Sequence, residues 1–258
     1  MRHRGPTVRR AVTLCAWAIL GIPFVAVSAL AQQGDGYRIA PVENGATLTG
    51  RALFEGDVPR AHRSMITKDV DVCGLGYRVR QDVVVTGDGG LRDVVVSIEG
   101  IHDGKPWPAR EGRPEISQEG CTFAPHLQVV RRGEEIDILN PDPVLHNIHA
   151  FELIGDAQRT LFNFGQPPEE RVITHALRPR RGSHVRLECD AHDFMLGWIY
   201  AADTPYVALV SEDGSFRIDQ VPPGTYTVTA WHPDLGTRSA EVTLPPDGEE
   251  DVVFRFTP

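Results

Sequence analysis

The sequence predicts an all-β chain made of two joined β-sandwiches, and three observations predict it. Beyond residue 31 almost every periodic segment alternates apolar and polar residues with period two, the strand period. No stretch there repeats at helical spacing for more than a turn or two. Short clusters of Gly, Asp and Pro separate the segments: Gly87-Asp88-Gly89-Gly90, Asp213-Gly214 and Pro222-Pro223-Gly224.

The first thirty-one residues read as an export signal. Arg2, Arg4, Arg9 and Arg10 form a basic start, residues 11–30 are apolar, and Ala29-Leu30-Ala31 offers a small-x-small cleavage site. The apolar run is long enough to span a bilayer, so an uncleaved anchor is the alternative. No later run is long enough. Removing four arginines from 26 basic residues leaves 22 against 35 acidic ones, a net charge near −13. That opposes nucleic-acid binding, which wants a basic footprint. It favours a soluble exported protein whose partner is basic where it docks.

Residues 32–44 read as a linker. A strand is expected over 47–54, and a hairpin over 82–86 and 91–98 around the glycine turn. Residues 105–114 hold three prolines amid charges and read as a second linker. Ser183 to Cys189 alternates, with Val185, Leu187 and Cys189 on one face, and Leu196 to Tyr200 is the next strand. From Tyr206 onward come strands over 206–211, 216–218, 226–231, 239–244 and 251–256.

The chemistry concentrates in Cys189-Asp190-Ala191-His192-Asp193-Phe194-Met195. A thiolate, an imidazole and a thioether stand at C-x2-H-x2-M, on a loop that leaves one strand at the Cys and enters the next after the Met. One Cys, two His and a distant Met are the ligands of a mononuclear type 1 (blue) copper site. The second His must come from a neighbouring strand, and His146 in Leu145-His146-Asn147-Ile148-His149 is the candidate. His146, Ile148 and Ala150 share a strand face; His149 points the other way. His126 and His149 read as surface or supporting histidines, with a second metal site at either left open. Lone Cys and Met residues on apolar faces are ordinarily core packing; their joint spacing with His192 sets this loop apart.

These residues resemble the amicyanin-like cupredoxins, which carry a C-x2-H-x2-M loop and a first ligand in an H-N-V-H-F context, here His146-Asn147-Ile148-His149-Ala150-Phe151. Residues 122–140 are similar to a cupredoxin pair of strands around a glycine turn, here at Gly133. The resemblance runs from about residue 113 to 203. It implies a cupredoxin sandwich over 104–203 with one copper ion held by His146, Cys189, His192 and Met195, and Asn147 bridging the two ligand loops. It also implies His192 as the partly exposed electron exit, ringed by Phe194, Leu196 and Trp198. The redox partner would be a c-type cytochrome or a periplasmic dehydrogenase. Multicopper oxidases and copper nitrite reductases place a His beside the Cys; here Glu188 and Asp190 flank it, so no catalytic copper is expected and the chain is read as a non-enzyme.

The C-terminal stretch resembles the carboxypeptidase regulatory-like (transthyretin-like) sandwich. Its opening strands appear far upstream, so a split sandwich, 45–103 plus 204–258, is expected with the cupredoxin between its parts; a serial arrangement is the alternative. Three cysteines follow the leader. With Cys189 assigned to copper, Cys73 and Cys121 remain to pair as a disulfide, closing a loop worth roughly 3–4 kcal/mol, or to stay as free thiols. The expected function is a periplasmic or secreted one-electron carrier. Copper delivery or storage, and a sandwich that binds without metal, are the alternatives.

Overall fold

The computed structural model describes residues 1 and 36–258. Beyond its first residue, the leader over 1–31 therefore lies outside the described residues. Among these, nineteen strands and one four-residue helix, Val70–Cys73, make up the regular structure. The chain is an all-β sandwich protein. No helix among the described residues is long and apolar enough to cross a membrane.

One sandwich draws its strands from both sides of residues 104–203. Ala46–Phe54 buries every second residue and pairs antiparallel with Ser215–Val221 and parallel with Glu249–Phe256. In the facing sheet Val95–Ile98 lies between Val207–Leu209 and Gly224–His232, and Gly236–Leu244 lies outside. Leu48, Val96, Tyr206, Phe216, Val228 and Phe256 meet in its core. Neither part alone would bury much apolar surface, so closing the core across the intervening chain is favoured. Gly50 is required by packing: a Cβ there would lie 1.9 Å from the Val252 carbonyl oxygen.

The hairpin expected over 82–98 is only partly formed. Its turn closes through Thr86 N–H to the Gly90 carbonyl, but pairing across it is an isolated bridge between Val85 and Leu91, and only Val95–Ile98 is a strand. Two of its backbone bonds go to Ala46–Phe54 instead: Phe54 N–H to Gly89 and Leu91 N–H to Ala52.

Residues 113–202 form the second sandwich. Its larger sheet runs Ala157–Gln166, His146–Ile154, His184–Glu188, Leu196–Ala202, Leu127–Arg131; the smaller runs Val172–Ala176, Glu135–Leu139, Glu115–Ser117. The strands around Gly133 thus belong to opposite sheets. Ile116, Ile136, Ile138, Ile148, Leu187 and Ile199 fill the space between, each worth about 1.5–3 kcal/mol when fully buried. Three strands of this sandwich, Glu115–Ser117, Ala157–Gln166 and Val172–Ala176, lie outside the segments marked in the sequence. The two sandwiches meet through Val95, Leu127, Trp198 and Trp231, where His184 stacks on Trp231 at 4.1 Å.

Between Ala46–Phe54 and Val95–Ile98 the chain leaves its own sandwich. Strands His62–Met65 and Tyr77–Arg80 pair as a hairpin around the short helix. Ile66, Val70, Val72 and Cys73 pack into the core of the other sandwich, and Cys73 is disulfide-bonded to Cys121, with 5.2 Å between Cα atoms. This flap lies over the end of the second sandwich that carries the Cys189 loop.

Candidate metal centre

His146 opens its strand and Cys189 follows His184–Glu188, two adjacent antiparallel strands of the larger sheet. Alternation turns His146, Ile148 and Ala150 inward on one strand and Val185, Leu187 and Cys189 inward on the other. The loop after Cys189 folds back in two turns, His192 N–H to the Cys189 carbonyl and Met195 N–H to the His192 carbonyl. The result brings His146 Nδ1 to 3.2 Å from His192 Nδ1, and Cys189 Sγ to 3.7 Å from His192 Nδ1. The three donors lie within 4.8 Å of one another and all three residues are buried. Met195 is buried in the same cluster.

Two carboxylates set the electrostatics. Asp142 Oδ2 lies 2.8 Å from His146 Nε2, and Asp69 Oδ2 lies 2.9 Å from His192 Nε2. Burial by itself would raise the Asp142 carboxyl. Hydrogen bonds from His146 and from the Gly120 and Cys121 N–H groups outweigh it and hold the group below the usual carboxylate range. Asp142 is thus an acceptor only, and Nε2 of His146 carries the proton; the carboxylate of Asp69 places the His192 proton likewise. Both Nδ1 lone pairs then face each other and the thiol, with nothing positive between them. Burial lowers the His146 pKa, which opposes filling that space by protonation. This arrangement of donors suits a cation. Three donors about 2 Å from one ion stand about 3.5 Å apart, close to the spacings here, so the residues fit a metal with thiolate and imidazole ligands.

Asn147 ties the two ligand segments. Its N–H points at Cys189 Sγ, 3.4 Å away. Its side-chain oxygen accepts from the N–H groups of Asp190 and Ala191, and its amide nitrogen donates to Asp190 and Asn163. Burial pushes the Cys189 thiol up, and the N–H groups of Asn147, Ala191 and His192 act against that. Asn163 above all, then His149 and Asn147, keep the Asp190 carboxyl below its ordinary value.

His192 is where expectation and structure part. His192, expected to be a partly exposed electron exit, is 2% exposed, closed over by the flap. Phe194 and Trp198, expected around it as a docking patch, are buried as well: Phe194 lies under Arg78, and Trp198 packs at the junction of the sandwiches. The reason is the flap, whose disulfide sulfurs lie within 4.8 Å of a His192 ring nitrogen. His149 binds Asp190 and Thr160 and stacks on Phe151; neither it nor His126 belongs to a ligand cluster among the described residues.

Asp69 and Asp142 are the site residues that sequence reasoning passes over. Asp142 had a signal, its place four residues before His146 in an N-P-D-P turn. Asp69 had none. It precedes the flap helix with a positive φ of 49° and its side chain makes no capping bond, although Asp commonly caps helices; its carboxylate goes to His192 instead.

Residues 191–250 match the family model described as polysaccharide lyase family 4, domain II. This is a different description from the carboxypeptidase regulatory-like resemblance. No curated protein matches the chain. Among solved structures, amicyanin from Paracoccus versutus (Thiobacillus versutus) is 14% identical, with 42% of this chain and 97% of that chain covered and a TM-score of 0.30. The novel purple cupredoxin from Nitrosopumilus maritimus is 16% identical over 34% of this chain and 99% of its own, TM-score 0.29. The Cu-containing nitrite reductase from Thermus scotoductus SA-01 is 13% identical over 37% of this chain, TM-score 0.29, and the match spans only 24% of that reductase. These partial likenesses carry no functional conclusion.

Proposed function

We propose that the chain is an exported type 1 copper protein that carries single electrons, with His146, Cys189, His192 and Met195 holding one copper ion. The observation that carries this reading is the convergence of two imidazole lone pairs on a buried thiol, each imidazole fixed from behind by a carboxylate. Copper would supply the Cu+/Cu2+ couple. Asp142 and Asp69 orient the imidazoles, Asn147 holds the two ligand segments together, and the flap excludes water. Such a preset cage limits rearrangement between oxidation states. Glu188 and Asp190 beside Cys189 support a carrier without a catalytic copper, and partners of the c-type cytochrome or dehydrogenase class follow from the cupredoxin resemblance. Copper storage uses the same residues and is favoured by one feature, burial of every ligand beneath a disulfide-anchored cover. The test is the purified chain loaded with one equivalent of Cu2+. An intense visible thiolate-to-copper band with reversible one-electron reduction supports the carrier. A bound but colourless copper, or a coloured one that no cytochrome reduces or oxidises, sinks it.

A further inference from the structure

We propose that the outer face of the flap is the docking surface for an acidic one-electron redox protein, an inference that rests on the carrier reading above. In the flap hairpin Met65 faces Tyr77 and Arg63 faces Val79 across the strands. All four lie on the water side, with Met65, Tyr77 and Val79 56%, 51% and 58% exposed, and Leu75 beside them is 85% exposed. Single exposed apolar residues are ordinary; four on one small face form a patch. Among the described residues the hairpin has no third strand, and a two-stranded sheet alone would be marginal in water. It is held from beneath: Arg78 donates to the Cys73 and Gly120 carbonyls, Arg80 to the Phe194 carbonyl, and Cys73 is bonded to Cys121. The fold thus spends contacts on keeping an apolar face in water.

Charge selects the occupant. Residues 58–80 carry Arg60, Arg63, Lys68, Arg78 and Arg80 against Asp69 and Asp71, in a chain of net charge −9. Asp69 is engaged with His192 and Arg80 with Asp82, and the exposed charges within residues 58–80 are Arg60, Arg63 and Lys68 against Asp71. This is the reverse of the sign that the whole chain's charge leads one to expect, and it steers an acidic partner to this face. The underside reaches the metal centre directly, through Asp69 on His192 Nε2 and through Arg78 over the Phe194 ring, which lies 5.7 Å from the His192 ring. A partner seated on the flap is one layer of residues from a ligand.

The copper-loaded full chain would be mixed in a stopped-flow instrument with two c-type cytochromes, one acidic and one basic. The acidic cytochrome should react faster, with a rate that falls as salt rises. Tyr77→Asp with Val79→Asp, and separately Arg63→Glu with Lys68→Glu, should each slow it about tenfold or more, with the visible copper band unchanged. Rates unaffected by either pair, or a preference for the basic cytochrome, overturn the docking proposal while leaving the carrier reading intact. Self-association through this face, seen by sedimentation and lost in the variants, assigns it to a second copy and also overturns it. Absence of the copper band in the unaltered chain sinks the carrier reading and this proposal together.

Discussion

Asp69 closes the solvent side of His192. The two residues stand 123 positions apart in the chain, and the carboxylate meets Nε2 at 2.9 Å. It fixes the tautomer of the imidazole and seals its edge in one contact. Asp69→Ala should leave copper bound but weakly retained. Loss of such an outer partner commonly costs 10–100-fold in metal affinity, so the visible band should bleach about that much faster under a copper chelator. Equal rates would show that the flap, and not this carboxylate, governs retention.

The thiol makes a different demand. Cys189→Ala should abolish the visible band, because that band needs sulfur-to-copper charge transfer. Met195→Leu should keep most of the colour and raise the potential, since a weak axial sulfur tunes the metal and does not anchor it. Absorption and voltammetry of the two variants check this. Colour surviving in Cys189→Ala would remove the type 1 assignment.

The disulfide anchors the flap. Replacing both Cys73 and Cys121 by Ala should lower stability by about 3–4 kcal/mol, as for a closed loop of this length. It should also open residues 62–80 to trypsin, which would cut at Arg63, Lys68 or Arg78. A flap as resistant as in the unaltered chain would mean that Ile66, Val70 and Val72 hold it without the covalent link.

Glu152 is a structural carboxylate away from the metal centre. It is fully buried, accepts from the N–H groups of Arg181 and Gly182, and pairs with Arg159. Burial alone would raise its pKa; the bonds from Arg181, Arg159 and Gly182 together lower it to about 2. A depressed carboxyl contributes stability above its unfolded pKa, lost as pH falls from about 4.5 toward 2. Glu152→Gln should cost about 1–3 kcal/mol at neutral pH and leave the copper spectrum unchanged. Thermal unfolding of the variant decides it.

Two histidines, His232 buried and His184 half-buried, add to the loss of stability in acid. Burial holds His184 and His232 at about 4. His232 Nδ1 accepts from the Asp234 and Leu235 N–H groups, and His184 stacks on Trp231. Each is favoured neutral in the fold, so the unfolded chain takes up the proton first. Stability should therefore fall as pH drops from about 6.5 to 4. His184→Phe should flatten that decline; an unchanged melting profile between those pH values would rule the linkage out.

Much of this was legible in the sequence because it is local. Period-two alternation along Ala46–Phe54 and His184–Glu188 fixes which side chains turn inward, and each strand carries that pattern by itself. Three candidate ligands sit within seven residues, and strand parity separates His146 from His149. The segment over 82–86 misled, since its valines alternate poorly and its turn shares its hydrogen bonds with a strand some thirty residues upstream.

By itself the sequence determined the all-β class, the Cys189 loop and its pairing with His146. Only the tertiary structure decided that a flap from the other sandwich covers them, that Asp69 and Asp142 stand behind the imidazoles, and that the exposed apolar face belongs to residues 63–79. The physical reason is range. A strand's inward face is written every second residue, whereas a contact between residues 69 and 192 depends on how the intervening chain folds back and leaves no periodic mark. His62–Met65 and Tyr77–Arg80 are short and bury little; they gain their place from the disulfide and from the core beneath them.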